Sequence, residues 1–336
     1  MSSTTRQSNF ELLRLVCMVM VMIAHANFGV FGETVRADVL SEPLVSFGHI
    51  SVNQLVIASL NVFIMISGWF GIRPSCKGFC SLMFQVVFLS LLSVLISLLA
   101  GWEIPLDGVV LPLFFGSGYW FVACYVILYI LSPVLNAYVE NADRKSFRTL
   151  LILFFTAEMI FGWLYDSAYF IKGFSPLSFI GLYLLMRYLR IYPSRLLELP
   201  AWANLLLYFG ISILSAVVFF FGLKWFDLGF HLIQYNSPTI ILASLFLFLT
   251  FYRLSFKSRV INWMAASAFA IYLLHENPLL RAHYRGLIRT IFDCFTALPA
   301  IGISLCAILI IAFVCILADR PRIWLWNLIN GRFQSR

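Results

Sequence analysis

Charge is what this chain lacks. Only 11% of its 336 residues are charged, while 62% are hydrophobic. Soluble domains carry about 25% charged residues, so a soluble globular enzyme is excluded. Long polar loops are missing too, which leaves no room for a separate soluble domain. We therefore expect a single domain over residues 1–336. No P-loop, GxGxxG, GxSxG or HExxH pattern occurs, so nothing points to nucleotide hydrolysis, nicotinamide chemistry or a serine nucleophile. Most of the seven cysteines fall within apolar runs, and Cys76 and Cys80 have no second Cys or His pair to complete a zinc site. We expect no metal and no disulfide. A cleavable signal peptide is not evident, because the first apolar run is as long as its successors and no small-residue cleavage site follows it.

Apolar runs of about 20 residues recur from end to end, each long enough to cross about 30 Å of hydrocarbon. They are unbroken Leu, Ile, Phe and Val blocks without alternation, which marks helices and not barrel strands. The expectation is an all-α, polytopic membrane bundle of about ten transmembrane helices. The spans fall near residues 10–31, 52–72, 79–100, 118–137, 149–165, 174–193, 202–223, 237–252, 260–277 and 297–318. Threading the loops alternately places 17 of the 23 basic residues, from Arg6 to Arg336, on the side of both termini. The opposite set is Arg36, Lys172, Lys224, Arg281, Arg285 and Arg289. The positive-inside rule then makes both termini cytoplasmic and the protein a multi-pass component of the cell inner (plasma) membrane. The net charge of +8 is thus a matter of lipid topology, and no nucleic-acid partner is expected.

Ionisable groups inside such spans are costly, by roughly 2.5–3.5 kcal/mol on insertion scales, and are functional suspects. Arg14 and His25 share the first span and, eleven residues apart, lie on one helix face about 16 Å from each other. His25 sits toward the outer face, where a side chain with a pKa near 6.5 suits a general base. Arg14 equally suits snorkelling to the headgroups, and His25 a satisfied buried histidine. Glu158 interrupts the fifth span, and His275 closes the ninth; each fits a cavity or acceptor role, or a structural hydrogen bond. Trp120 stands among span-end aromatics that suit a membrane belt or a sugar-binding face. Arg73, Arg187 and Arg190 crowd the inner mouths of the spans, as phosphate ligands or as ordinary positive-inside charge.

Four segments in register carry a resemblance. Asn9-Phe-Glu-Leu-Leu-Arg14 with ten intervening residues before His25, Asn61 to Ser67-Gly68-Trp-Phe, Tyr119-Trp120-Phe121 to Pro133, and Ala270-Ile-Tyr272-Leu-Leu-His275 together resemble the acyltransferase 3 family of integral-membrane acyltransferases. The resemblance spans roughly residues 8–318. It implies transfer of an acyl group, often acetyl, from cytoplasmic acyl-CoA to a hydroxyl of an extracytoplasmic or lipid-linked glycan. It also implies that His25 is catalytic and that Arg14 is needed beside it. Some relatives carry a fused hydrolase-like domain after the membrane part; with the sequence ending at Arg336, none is expected here.

The resulting expectation is a membrane O-acyltransferase that takes acyl-CoA, acetyl-CoA first, as donor and a surface polysaccharide as acceptor. Direct transfer and an acyl-histidine intermediate both fit a single histidine. The rival is a translocator of a glycan or lipid-linked precursor, with Arg14, Glu158 and His25 as its pathway. The chain shows no internal repeat, which counts against that rival.

Overall fold

The computed structural model describes residues 7–113, 119–227 and 230–334. Arg6 and Arg336, both counted above on the inner side, lie outside the described residues. Among the described residues there is no strand. In chain order the helices are α1 (Ser8–Phe31), α2 (Arg36–Ser41), α3 (Pro43–Val56), α4 (Ala58–Phe70), α5 (Cys76–Leu99) and α6 (Leu106–Leu113). Next come α7 (Trp120–Asn141), α8 (Arg144–Ala157), α9 (Pro176–Ile191), α10 (Ala201–Phe226) and α11 (Pro238–Tyr252). The chain closes with α12 (Arg259–Ala265), α13 (Ala268–His275), α14 (Arg281–Cys294), α15 (Ala297–Ala318) and α16 (Arg320–Gln334).

Eight helical stretches among the described residues are long and apolar enough to cross a membrane. The second is longer than drawn from sequence, because α3 and α4 run on from each other over Pro43–Phe70. The remaining two expected spans take other forms. One is α9, whose 16 residues reach about 24 Å; the other is the pair α12 and α13, broken before Ala268. The segment read as an outer loop after His275 contains a further helix, α14.

Local signals explain where the helices start and stop. The Ser75 hydroxyl accepts from Gly78 N–H at the start of α5, and Ser175 does the same for Ser178 ahead of α9, where Pro176 occupies the first turn. Asp143 caps α8 by accepting from Lys145 and Ser146 N–H groups. The Ser146 hydroxyl, 2.6 Å away, helps hold the Asp143 carboxyl below its ordinary range.

The helices group into two compact units: Met1–Arg73 with Cys124–Ser258, and Pro74–Ala123 with Arg259–Arg336. In the first unit α4 packs on α1, α9 and α11, and α10 on α3 and α11. Leu13, Met22, Ile64, Phe179 and Phe248 are fully buried in its interior, which also encloses polar residues such as Gln54, Asn61 and Glu158. In the second, α13 packs on α5 and α15, and α14 packs on α15. Leu99, Leu214 and Ile310 stand exposed on α5, α10 and α15, as lipid-facing residues of a bilayer span do.

Gly68 makes the α4–α9 contact possible. A Cβ there would lie 2.6 Å from the Tyr183 carbonyl oxygen and 2.9 Å from Met186 Cβ, closer than real Cβ atoms come to backbone. Gly68→Ala should therefore destabilise the detergent-solubilised protein by about 1–3 kcal/mol, read as a lower thermal midpoint. Gly210→Ala, with nothing within 4 Å of the added carbon, should not lower it. Equal midpoints for the two variants would refute the close-packing argument.

Candidate functional site

In the first unit, four of the basic residues singled out from sequence gather at one end. Phe10, early in α1, meets Phe70 at the end of α4 with ring centroids 5.0 Å apart, edge to face. This brings the Arg14 end of α1 beside the turn after α4, where Arg73 is exposed. From α9, Arg190 lies 4.8 Å over the Trp69 ring. Arg187 packs on Gly71, where a Cβ would come 3.0 Å from its Nη1 and where a φ of +74° already favours glycine. The Arg187 Nε is buried and has no hydrogen-bond partner among the described residues. Arg14 differs: its Nη1 donates to Glu11 Oε1 at 3.0 Å, and Glu11 is itself buried. The sequence reading did not foresee that ion pair.

Two residues missed from sequence shape this end. The Tyr183 hydroxyl donates to Asn136 Oδ1 at 2.6 Å and accepts from Ile72 N–H at 3.1 Å. The Asn136 Nδ2 donates to the Ile72 carbonyl at 2.8 Å. Together they satisfy both backbone groups of the residue before Arg73. No local pattern announces them, since the partners are 47 to 111 positions apart.

His25 lies at the other end of α1, half-buried. Around this end, Asn27 Nδ2 donates to Asn53 Oδ1 at 2.6 Å and to the His49 carbonyl at 3.2 Å. The His49 Nδ1 stands 2.7 Å from Asn27 Oδ1. Glu158 opens a π-helical segment, Glu158–Leu164, a deviation that concentrates at functional sites. It is 1% exposed, and neither carboxylate oxygen makes a hydrogen bond of standard geometry among the described residues, with Ser178 as a polar neighbour.

Trp120 and His275 belong to the second unit. Trp120 is half-buried, 6.1 Å from the Phe121 ring. His275 is 3% exposed, and its Nδ1 lies 2.6 Å from the Ile271 carbonyl one turn back. That carbonyl can only accept, so Nδ1 carries the proton. The next residue, Glu276, binds Arg285 through both oxygens at 3.0 and 3.1 Å, with Arg281 at 3.8 Å. Tyr119, fully buried, donates to the Leu273 carbonyl and accepts from Asn277 Nδ2 at 3.1 Å.

These features define a multi-pass helical membrane protein in which a histidine and a set of arginines occupy opposite ends of one unit. The sequence pattern of the acyltransferase domain matches residues 7–318, and the chain belongs to that family, acyltransferase 3. It is a membrane acyltransferase. No curated protein and no solved structure matches it.

Proposed function

We propose that this acyltransferase moves an acyl group, acetyl first, from cytoplasmic acyl-CoA to a hydroxyl of a cell-surface or lipid-linked polysaccharide at the inner (plasma) membrane. The observation that carries the reading is the polarity of the first unit. Arg14 and His25 stand eleven residues apart on the unbroken helix α1, a rise of about 16 Å. The arginines gather at the Arg14 end. Such a layout suits a donor whose phosphates stay at one face while its thioester reaches toward the other. Both termini are cytoplasmic in this scheme, which puts the Arg14 end inside and His25 toward the acceptor.

The chemistry assigned to His25 is general-base catalysis. Its ring nitrogen takes the acceptor hydroxyl proton as the oxygen attacks the thioester carbonyl. The tetrahedral intermediate collapses, the C–S bond breaks, and the departing CoA sulfur takes the proton from the imidazolium. The products are an ester and free CoA thiol. Arg14, already bound to Glu11, is a positioning residue for the opposite, donor end of the helix. Arg187, Arg73 and Arg190 hold donor phosphates, with Arg187 foremost because its buried Nε lacks a partner. Glu158, Trp120 and His275 remain acceptor or cavity residues in this reading.

The test of the class is mass spectrometry of surface glycan from cells with and without the gene. Gain of one acetyl or other acyl mass per repeat supports the reading, and an unchanged glycan overturns it. For the donor end, one guanidinium–phosphate contact is worth roughly 1.5–3 kcal/mol. Arg187→Ala should therefore raise the KM for acetyl-CoA about tenfold or more, with a smaller change in kcat. An unchanged KM would return Arg187 to ordinary topological charge.

A further inference from the structure

We infer that the cavity in the first unit, one helical turn beyond His25, is the acceptor's sugar subsite and selects neutral or amino sugars over anionic ones. This rests on the acyl-transfer reading above and gives it a substrate class. The cavity has a volume of about 300 Å³, at the small end of ligand pockets, which run from about 300 to 1,000 Å³. Phe28, three residues after His25 and so on the same face of α1, forms part of its wall. Phe219 and Leu223 of α10 line it as well, both buried. Ring faces of this kind suit the C–H face of a pyranose.

Its polar side chains are two carboxylates, one amide and the Thr34 hydroxyl. Glu33 and Asp227 line the cavity and are exposed at its mouth, and carboxylates only accept hydrogen bonds. No ion pair occupies either among the described residues. Asn53 is 4% exposed and also lines the cavity. Its orientation follows from its neighbours. The His49 carbonyl can only accept, so the Asn27 atom facing it is Nδ2, as placed. The same Nδ2 donates to Asn53 Oδ1, which leaves Asn53 Nδ2 as the group offered to a ligand. The Asn27 Oδ1 then requires the proton on His49 Nδ1.

The lining therefore presents two carboxylate acceptors, one amide donor, the Thr34 hydroxyl that can do either, and apolar ring faces. Sugar hydroxyls donate to the carboxylates, an amino group adds a charge-assisted contact, and a ring or hydroxyl oxygen accepts from Asn53. A uronic acid would set a third carboxylate beside two unpaired ones, and a lipid tail would strip water from both without replacing it.

The experiment uses the full chain purified in detergent and saturation-transfer NMR with methyl glucoside, methyl glucosaminide and methyl glucuronide as probes. The first two should respond and the third should respond at least severalfold more weakly. Glu33→Gln with Asp227→Asn should narrow that gap, since both side chains are exposed and Asn tolerates the left-handed backbone at 227, φ 55°. Asn53→Asp and Leu223→Trp should each suppress the response in protein whose thermal unfolding shows it to be folded. Equal binding of the glucuronide, no response to any probe, or a full response in both folded variants overturns the proposal. His25→Ala should keep the sugar response while losing transfer. Transfer that persists in His25→Ala refutes the catalytic reading alone, whereas a missing sugar response with transfer lost refutes only the subsite.

Discussion

His25→Ala is expected to lower acyl transfer by about 10²–10⁴-fold, the contribution of a positioned general base. The reason lies in the hydroxyl it serves. A sugar hydroxyl is a weak nucleophile at neutral pH, and without a nearby acceptor its proton must leave to water in a largely apolar bundle. The replacement should leave the fold intact, because His25 is half-buried on α1 while the helix is anchored by fully buried Leu13, Cys17 and Met22. Removing a polar side chain from a span does not oppose insertion. Acylation of glycan should be measured in cells that accumulate normal amounts of the variant, with binding of acetyl-CoA measured on purified protein. Lost transfer with retained donor binding is the expected pair of results. Transfer near the wild-type rate would remove His25 from the chemistry.

Arg14→Ala is less informative. Its guanidinium is bound to Glu11 at 3.0 Å, so deleting it leaves a buried carboxylate unpaired at the start of α1. Loss of activity would then follow from a disturbed helix end as readily as from a lost donor contact. A double replacement of Arg14 and Glu11 separates the two effects.

The spans were legible because a bilayer demands long, unbroken apolar runs, and such runs are written locally in the chain. His25 and Glu158 were legible for the converse reason: an ionisable residue within such a run stands out against it. What escaped notice depends on partners far apart in sequence. Ser67-Gly68 could be read as a mild polar signal, but not as the point where α4 meets the Tyr183 carbonyl. Tyr183 and Asn136 look like ordinary residues of apolar helices until the Ile72 backbone is placed between them. The π-helical segment at Glu158 follows no composition rule, since its apolar residues suit an α-helix equally well. Asn53 and Phe219, which line the proposed sugar subsite, lie 166 positions apart in runs with no distinguishing pattern. Arg322 shows the limit of charge counting: read as one more inner-loop cation, it is 7% exposed and paired with Asp319.

That pair underlies the second large effect. Asp319, 0% exposed, sits at the joint between α15 and α16. Its Oδ1 accepts from Arg322 Nε at 2.9 Å and from Gln85 Nε2 at 3.4 Å. Its Oδ2 accepts from Arg322 Nη2 and from the Ser267 hydroxyl, both at 2.6 Å. Ser267 lies at the break between α12 and α13, so one carboxylate ties two helix joints and α5 together within the second unit. Both charges are satisfied only while both are present. Asp319→Ala leaves a guanidinium buried without a counter-charge and should cost about 3–5 kcal/mol, whereas replacing both partners by apolar residues of similar volume is often neutral or stabilising. Asp319→Leu combined with Arg322→Met should therefore be closer to the wild type than Asp319→Ala is, though Ser267 and Gln85 each lose an acceptor. Thermal unfolding in detergent and the yield of monodisperse protein measure the difference. If the single and double variants unfold at the same temperature, the ion pair is not what holds these joints, and α13, with His275 at its end, must be positioned by packing on α5 and α15 alone.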